Sequence, residues 1–142
     1  MASIIQISEA ASLALHSMVL LAASPGKSVT VKEITARTGV SEAHLSKVMQ
    51  RLAKAGLVKS TRGPKGGFLL GDSGLSTSLL AIFESIEGPV ASGGCLLPTK
   101  ECLFRECLFG GLLGRMTAEF KEYMKNKTLE DMVSRDNKEL TA

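Results

Sequence analysis

The sequence predicts a mainly α-helical domain with one small β-hairpin. Its 142 residues are 44% hydrophobic, which is enough for one core, and the chain is too short for two large domains. Leucine and alanine, which favour helices, are abundant, whereas aromatic residues make up 4%, with one tyrosine and no tryptophan. The strands of a β-sandwich would require more aromatic side chains. We therefore expect helices to form the core.

Three helices are predicted in the first part of the chain. The first, Ser8–Ala23, starts at a serine whose side chain can cap free N–H groups. The second covers about Val31–Thr38 and is closed by Gly39, and the third, capped by Ser41, covers Glu42–Ala55. Helical spacing assigns these side chains to the core: Leu13, Ser17, Leu20, Leu21, Ile34, Ala36, Leu45, Val48, Met49 and Leu52.

A hairpin and further helices are predicted beyond residue 56. Two short strands, Leu57–Ser60 and Phe68–Leu70, are joined by a segment whose glycines and proline favour a reversal. The remaining predicted elements are a helix over Ser76–Glu87, a loop over Ala91–Lys100, a long helix from Glu101 to about Lys125 and a short helix after Thr128. The long helix offers an apolar stripe that requires a partner: Leu108, Leu112, Leu113, Met116, Phe120 and Met124.

Basic residues are concentrated in the first half of the chain. The net charge is +3, but residues 1–75 carry nine Lys and Arg against four Asp and Glu, whereas residues 76–142 carry eight against ten. The first half is therefore the expected binder of a polyanion. The apolar stretches are shorter than the ~20 residues of a membrane span. No basic region of a signal peptide precedes them, so we expect a cytoplasmic location.

The segment from Val31 to Leu70 has the element order of a winged helix-turn-helix, with two helices, a short turn between them and a glycine-rich hairpin. The second helix of such a pair enters the major groove of DNA, and the wing reaches along the backbone. Residues 1–75 are thus predicted to form a DNA-binding domain. The residues expected to contact DNA are Ser41, Glu42, His44, Lys47, Arg51, Lys59, Arg62 and Lys65.

Two other interpretations of the basic half are weaker. The basic residues of the third helix could simply solvate an exposed face, but the wing adds Arg62 and Lys65 on a tip of glycine and proline with little steric cover. The segment Gly63–Gly67 could also cradle a nucleotide phosphate. No Lys-Ser/Thr pair follows these glycines, however, and no helix starts there.

All three cysteines fall within 13 residues of the second half of the chain. The spacing Cys95-x6-Cys102-x4-Cys107 places one thiol on the predicted loop and two around the start of the long helix, so that all three can converge on an iron–sulfur cluster. Structural zinc sites more often use paired Cys-x2-Cys spacings. Buried inert cysteines and a thiol switch are the alternatives, since free cysteine is often interior and accessible thiols oxidise reversibly.

Three motifs resemble the Rrf-two (Rrf2) family of bacterial transcription regulators. They are the wing Arg62–Phe68 (RGPKGGF), the turn Gly39–Ser41 and the segment Leu52–Val58 (LAKAGLV). The resemblance covers nearly the whole chain, from about residue 7 to the short last helix. The family includes regulators that hold an iron–sulfur cluster, respond to nitric oxide or control cysteine metabolism.

The resemblance implies roles for particular parts of the chain. Arg62 would enter the minor groove, and Ser41–Lys47 would contact bases. The long helix would pair with its copy in a homodimer, so that residues 76–142 would form the cluster-binding loop and the dimerisation helices.

The resemblance also implies a fourth ligand. Cluster-binding members carry three cysteines at the corresponding place, with spacings that differ by one residue from those here. The histidine that completes the site in one branch is replaced by Gly110. Other members use a carboxylate or a histidine from the first helix of the partner subunit, and the matching histidine is His16. Glu101, Glu106 or a small external ligand are the alternatives.

The sequence therefore predicts a homodimeric transcriptional regulator that binds a two-fold site in double-stranded DNA. A [2Fe–2S] or [4Fe–4S] cluster would control binding in response to redox state, iron–sulfur status or nitric oxide. No catalytic motif of the serine-histidine-aspartate, nucleotide-loop or paired-carboxylate type is found, so no enzymatic activity is expected. The alternatives are a metal-free regulator that uses its thiols or a small-molecule effector, and a small iron–sulfur electron carrier.

Overall fold

A computed structural model describes residues 5–64, 66–91 and 102–135. Its helices are α1 (Glu9–Ala22), α2 (Val31–Thr38), α3 (Glu42–Lys54), α4 (Leu79–Glu87), α5 (Leu112–Asn126) and α6 (Leu129–Arg135), and its strands are β1 (Val58–Thr61) and β2 (Gly67–Leu70). A 3-10 turn over Gly74–Ser76 separates the hairpin from α4. The predicted class, mainly helical with one small hairpin, is confirmed.

Side-chain caps fix where the helices begin. Ser8, Ser41 and Ser78 each accept a hydrogen bond from the backbone N–H three residues further on, at 3.0–3.2 Å. Thr30 and Glu33 form a reciprocal capping box at the start of α2. Because of these caps, the first three helices begin within one residue of the predicted positions.

The wing is anchored on two sides. Its strands pair antiparallel, with Thr61 opposite Gly67. Phe68 also exchanges two backbone hydrogen bonds, of 2.8 and 3.0 Å, with Val29 in the connection between α1 and α2. A Cβ atom on Gly67 would lie 2.4 Å from the carbonyl oxygen of Val29, so the backbone of the wing approaches this connection as closely as glycine permits.

The first helix, α1, lies at the centre of the fold. It packs against α3, α4, α6 and β2. The largest fully buried apolar side chains come from five helices: Met18, Ile34, Leu45, Met49, Leu52, Ile82 and Leu129. Three of these belong to α3, so its inner face is fixed in the core as predicted while its other faces stay accessible.

The prediction of a long helix from Glu101 was wrong in its starting point. Residues 102–111 form bends and turns, and α5 begins at Leu112. Gly110 and Gly111 have φ angles of 57° and 77°, and this left-handed backbone cannot continue a right-handed helix. Leu108 is consequently 80% exposed instead of belonging to a buried stripe.

Two smaller predictions were also wrong. The fourth helix begins at Leu79 and not at Ser76, because Thr77 is extended with φ −60° and ψ 123°. Ala36 of α2 is exposed, and Ile34 alone of that helix is buried. The predicted loop beyond Ala91, with Cys95, lies outside the described residues.

Candidate DNA interface and cysteine segment

The amino-terminal end of α3 is presented to solvent. Ser41 caps the helix, and Ser41, Glu42 and Lys47 are exposed, whereas Leu45 of the same turns is completely buried. The buried stripe therefore fixes the orientation of the helix from within. The exposed N-terminal turn has the position that a base-contacting helix needs.

His44 is oriented differently from its neighbours on α3. Its side chain is half-buried, and its Nε2 atom is covered and has no hydrogen-bond partner among the described residues. In this conformation Nε2 is covered, whereas Glu42 and Lys47 are exposed. Contact of Nε2 with a base would require the ring to rotate.

The tip of the wing carries an exposed arginine. Arg62 follows Thr61, whose hydroxyl lies 2.8 Å from the hydroxyl of Ser28 and accepts the N–H of Gly67 at 2.9 Å. Gly63 has a φ of 106° and its carbonyl accepts the N–H of Gly66. The side-chain network fixes the base of the tip and leaves the Arg62 guanidinium in solvent. Lys65, the other predicted cation of the tip, lies outside the described residues.

The other two predicted cations of this surface have partners within the chain. The ammonium group of Lys59 pairs with the carboxylate of Asp72, and this hydrogen bond and charge lower the pKa of Asp72. The guanidinium of Arg51 donates to the carbonyl oxygen of Ile86 at the end of α4. No sequence signal predicts Asp72, Ser28 or Ile86 as partners, since each lies 13 to 35 residues from the residue that it contacts.

The cysteine segment, residues 95–107, is described from Cys102 onward. Cys102 and Cys107 are free and exposed, and both precede α5 in the non-helical turns. The Cys107 sulfur accepts hydrogen bonds from backbone N–H groups, chiefly that of Gly111 and then that of Phe109, and they lower its pKa. Amide donors around a sulfur favour the thiolate, which is the form that binds metals.

His16 lies on an exposed part of α1. Its Nδ1 atom is 2.6 Å from the carbonyl oxygen of Ser12, one helical turn earlier. A carbonyl oxygen can only accept, so Nδ1 carries the proton and, in the neutral ring, Nε2 keeps its lone pair. Ligating histidines have this arrangement, with one nitrogen bonded to the protein and the other available for a metal.

A group of apolar side chains is uncovered next to the cysteines. Its members, which share the turns before α5 and the first residue of that helix, are Leu103, Phe104, Leu108, Phe109 and Leu112, between 42% and 80% exposed. An exposed apolar patch of this kind marks an interaction surface. Phe120 of α5, in contrast, packs edge to face with Phe83 of α4.

The described residues, which do not include Cys95, do not by themselves assemble a metal site. Among the described residues, no group of three His, Cys, Asp or Glu side chains lies close enough to hold a metal ion. None of the described helices is long and apolar enough to cross a membrane.

Comparison with known proteins shows extensive similarity. The sequence model of a family described as "Rrf2: Iron-dependent Transcriptional regulator" matches residues 7–135. The HTH-type transcriptional regulator IscR of Klebsiella pneumoniae (strain 342) is 30% identical over 112 residues, which cover 75% of this chain and 65% of that protein. IscR of Pectobacterium carotovorum (strain PC1) is 32% identical over 118 residues, covering 79% and 67%. The chain thus spans about two thirds of the length of the curated relatives that it matches.

Two solved structures share the fold. CymR (YrzC), the global cysteine regulator of B. subtilis, aligns with a TM-score of 0.77 and 30% identity over 93% of this chain and 98% of that one. IscR of T. potens aligns with a TM-score of 0.72 and 25% identity over 92% and 88%. These similarities confirm the predicted winged helix-turn-helix architecture.

Proposed function

Because this chain belongs to the Rrf2 family of transcriptional regulators, we propose that it acts as a homodimer whose affinity for DNA is controlled by an iron–sulfur cluster. A regulator of transcription works where the chromosome is, so the proposed location is the cytoplasm. The single observation that carries the DNA-binding part is that the N-terminal turn of α3 and the wing arginine, Arg62, are both exposed. The family description, which names iron dependence, supports the second part.

The proposed DNA contacts divide into two kinds. Exposed side chains on the first turns of α3, namely Ser41, Glu42 and Lys47, would face base edges in the major groove. Arg62 and Lys65 of the wing would contact the backbone and the minor groove, and Lys59 would add to the positive charge after releasing Asp72. Two copies related by a two-fold axis would bind two half-sites of a palindromic duplex.

The donor set of the cysteine segment fits an iron–sulfur cluster. Exposed, free thiols at Cys102 and Cys107, together with Cys95, provide the thiolates that such clusters prefer. The hydrogen bonds from the Gly111 and Phe109 amides to Cys107 favour the deprotonated sulfur. When bound, the cluster would supply a centre that reacts with oxidants and nitric oxide.

His16 is the proposed fourth ligand, contributed by the partner subunit. Its Nδ1 atom is hydrogen-bonded to the carbonyl oxygen of Ser12, and Nε2 of this exposed side chain would reach across a dimer interface. The uncovered apolar side chains at 103–112 would be the surface that the second chain covers.

A metal-free regulator is the second candidate function. The similarity to a structure described as a global cysteine regulator favours it. In that case the exposed thiols of Cys102 and Cys107 would respond to oxidants directly, or a small molecule would bind the dimer.

Anaerobic purification followed by visible absorption and by iron and sulfide analysis separates the two candidates. We expect a coloured protein with iron and sulfide, and Cys102→Ser and Cys107→Ser variants that lose both. Lys125→Ala, which truncates an exposed side chain of α5 outside the apolar patch and removes no ligand, is the control and should retain the iron. A colourless, iron-free wild-type protein whose DNA binding responds to thiol oxidation would contradict cluster control and support the metal-free regulator.

A further inference from the structure

The carboxyl end of α4 carries an unusual charge pattern. The last carbonyl groups of a helix lack intrahelical partners, and the helix dipole makes this end negative. The last turn of α4 contains no basic residue, and Glu84 and Glu87 add negative charge to it. A cation supplied by another element is therefore favourable at this end.

Arg51 supplies that cation from the last turn of α3. Its Nη2 atom donates to the carbonyl oxygen of Ile86, one of the carbonyls that α4 leaves unpaired. The next residue, Leu52, is completely buried, so the backbone that carries the guanidinium is fixed in the core. The contact thus joins the end of the helix that we propose enters DNA to the end of α4.

The same turn of α4 is connected to two other parts of the molecule. The Glu84 carboxylate accepts the N–H of Val90 at 3.1 Å, which fixes the chain five residues before Cys95. The Ser8 hydroxyl, which caps α1, donates to the Glu87 carboxylate. The end of α4 therefore contacts α3, the start of α1 and the connection to the cysteine segment.

We propose that Arg51 is a positioning residue that couples the cysteine segment to the orientation of α3, and that it does not act as a phosphate contact. The inference rests on the proposed DNA-binding function. A displacement of residues 88–90 would move the end of α4 and, through the guanidinium, the last turn of α3. Since α3 is one continuous helix over Glu42–Lys54, its N-terminal turn would move with it. The two states would then differ in DNA affinity by a population shift.

The test compares Arg51→Gln and Arg51→Lys with Lys47→Gln, which removes an exposed cation of α3 that has no part in this contact. A duplex selected by the wild-type protein from a random-sequence library is the probe, and melting temperatures verify folding. Affinity and its salt dependence are measured for cluster-loaded and cluster-free protein. For wild type we expect these forms to differ by about 5- to 150-fold, the usual range of allosteric coupling.

Coupling through Arg51 predicts that, in Arg51→Gln, the DNA affinities of cluster-loaded and cluster-free protein differ by less than about twofold. The dependence of log affinity on log salt concentration, the salt slope, should stay unchanged. Arg51→Lys should give an intermediate ratio, because an ammonium reaches one carbonyl but lacks the planar fork of donors. Lys47→Gln should weaken both forms equally and reduce the salt slope by up to about 0.9, because it removes one cation from the DNA interface. If Arg51→Gln instead reproduces the Lys47→Gln pattern, Arg51 is a phosphate contact and the proposal is wrong.

Amide exchange gives a measurement that does not depend on the cluster. Saturating duplex should slow exchange at residues 84–91 in the wild type but not in Arg51→Gln, and equal slowing in both would overturn the proposal. Cluster control fails if the wild type holds no cluster, or if its cluster-loaded and cluster-free forms bind DNA with equal affinity. Amide exchange alone then decides the role of Arg51. If the wild type binds no duplex at all, the proposed function and the role of Arg51 both fail, and no variant is needed to show it.

Discussion

The two halves of the chain differ in how their apolar side chains are covered. In residues 5–75, α3 and the wing are held by a buried stripe and by backbone contacts with Val29, and the exposed positions carry mostly polar or charged groups. In the half that carries the cysteines, five large apolar side chains between residues 103 and 112 are exposed. Four of them lie in the turns before α5, and the fifth is the first residue of that helix. The positions of α3 and the wing are fixed within one chain, whereas the apolar patch at 103–112 has the character of an interaction surface.

This difference indicates where each proposed activity is encoded. A surface that contacts DNA must be formed before DNA arrives, and the caps and core of one chain are sufficient for that. A ligand site and an interface shared by two chains cannot be complete in either chain alone. The comparison predicts that changes in the apolar patch at 103–112 act through assembly, whereas changes on the exposed turn of α3 and on the wing act on DNA contact.

The largest effect is expected from Leu112→Asp. A carboxylate in the exposed apolar patch opposes its burial against a second chain, so the variant should be monomeric. Leu112 is the first residue of α5, where negative charge is favourable to the helix dipole, so the helix itself should persist. Loss of the second half-site should lower affinity for a palindromic duplex by about 10²- to 10⁴-fold.

Analytical ultracentrifugation, circular dichroism and DNA titration check this prediction. Leu75→Asp, at an exposed apolar residue of the first half, is the control and should remain dimeric. A Leu112→Asp protein that sediments as a dimer would show that the apolar patch is not the interface between copies.

Arg62→Ala tests the first half with a smaller expected effect. The guanidinium is exposed on a tip whose base is fixed by Thr61, so its removal should leave the fold and the dimer unchanged. We expect a loss of about 1–3 kcal/mol in DNA binding and a salt slope lower by about one. Lys125→Ala removes an exposed cation from α5 and should change neither quantity. Equal losses from both variants would mean that binding depends on overall charge and not on the wing.

The parts of the structure that could be predicted from the sequence are those with local causes. Helix starts follow from caps such as Ser8 and Ser41, whose hydrogen bonds reach only three residues. The start of α5 was misplaced because apolar spacing continues through residues 108–113, and the sequence does not reveal that Gly110 and Gly111 are left-handed. The partners of Arg51 and Lys59 were unpredictable for another reason, since they depend on how distant elements pack.

The smallest predicted effect concerns a feature of the second half that a single chain completes, the turn whose backbone N–H groups surround the Cys107 sulfur. Hydrogen bonds from the N–H groups of Gly111, Phe109 and Gly110 lower the pKa of this thiol, so more of it is thiolate at a given pH. In cluster-free protein, its alkylation by iodoacetamide should therefore persist as the pH falls below about 8.5, the usual pKa of cysteine.

Peptide mass spectrometry measures the rate of alkylation of Cys107, with Cys102 as the internal reference. Gly111→Ala, which strains a φ of 77°, should disturb the donors and move the Cys107 profile to higher pH. Identical profiles for Cys107 in both proteins would show that the turn does not prepare this sulfur, and the second half would then depend on its partner for every element of the site.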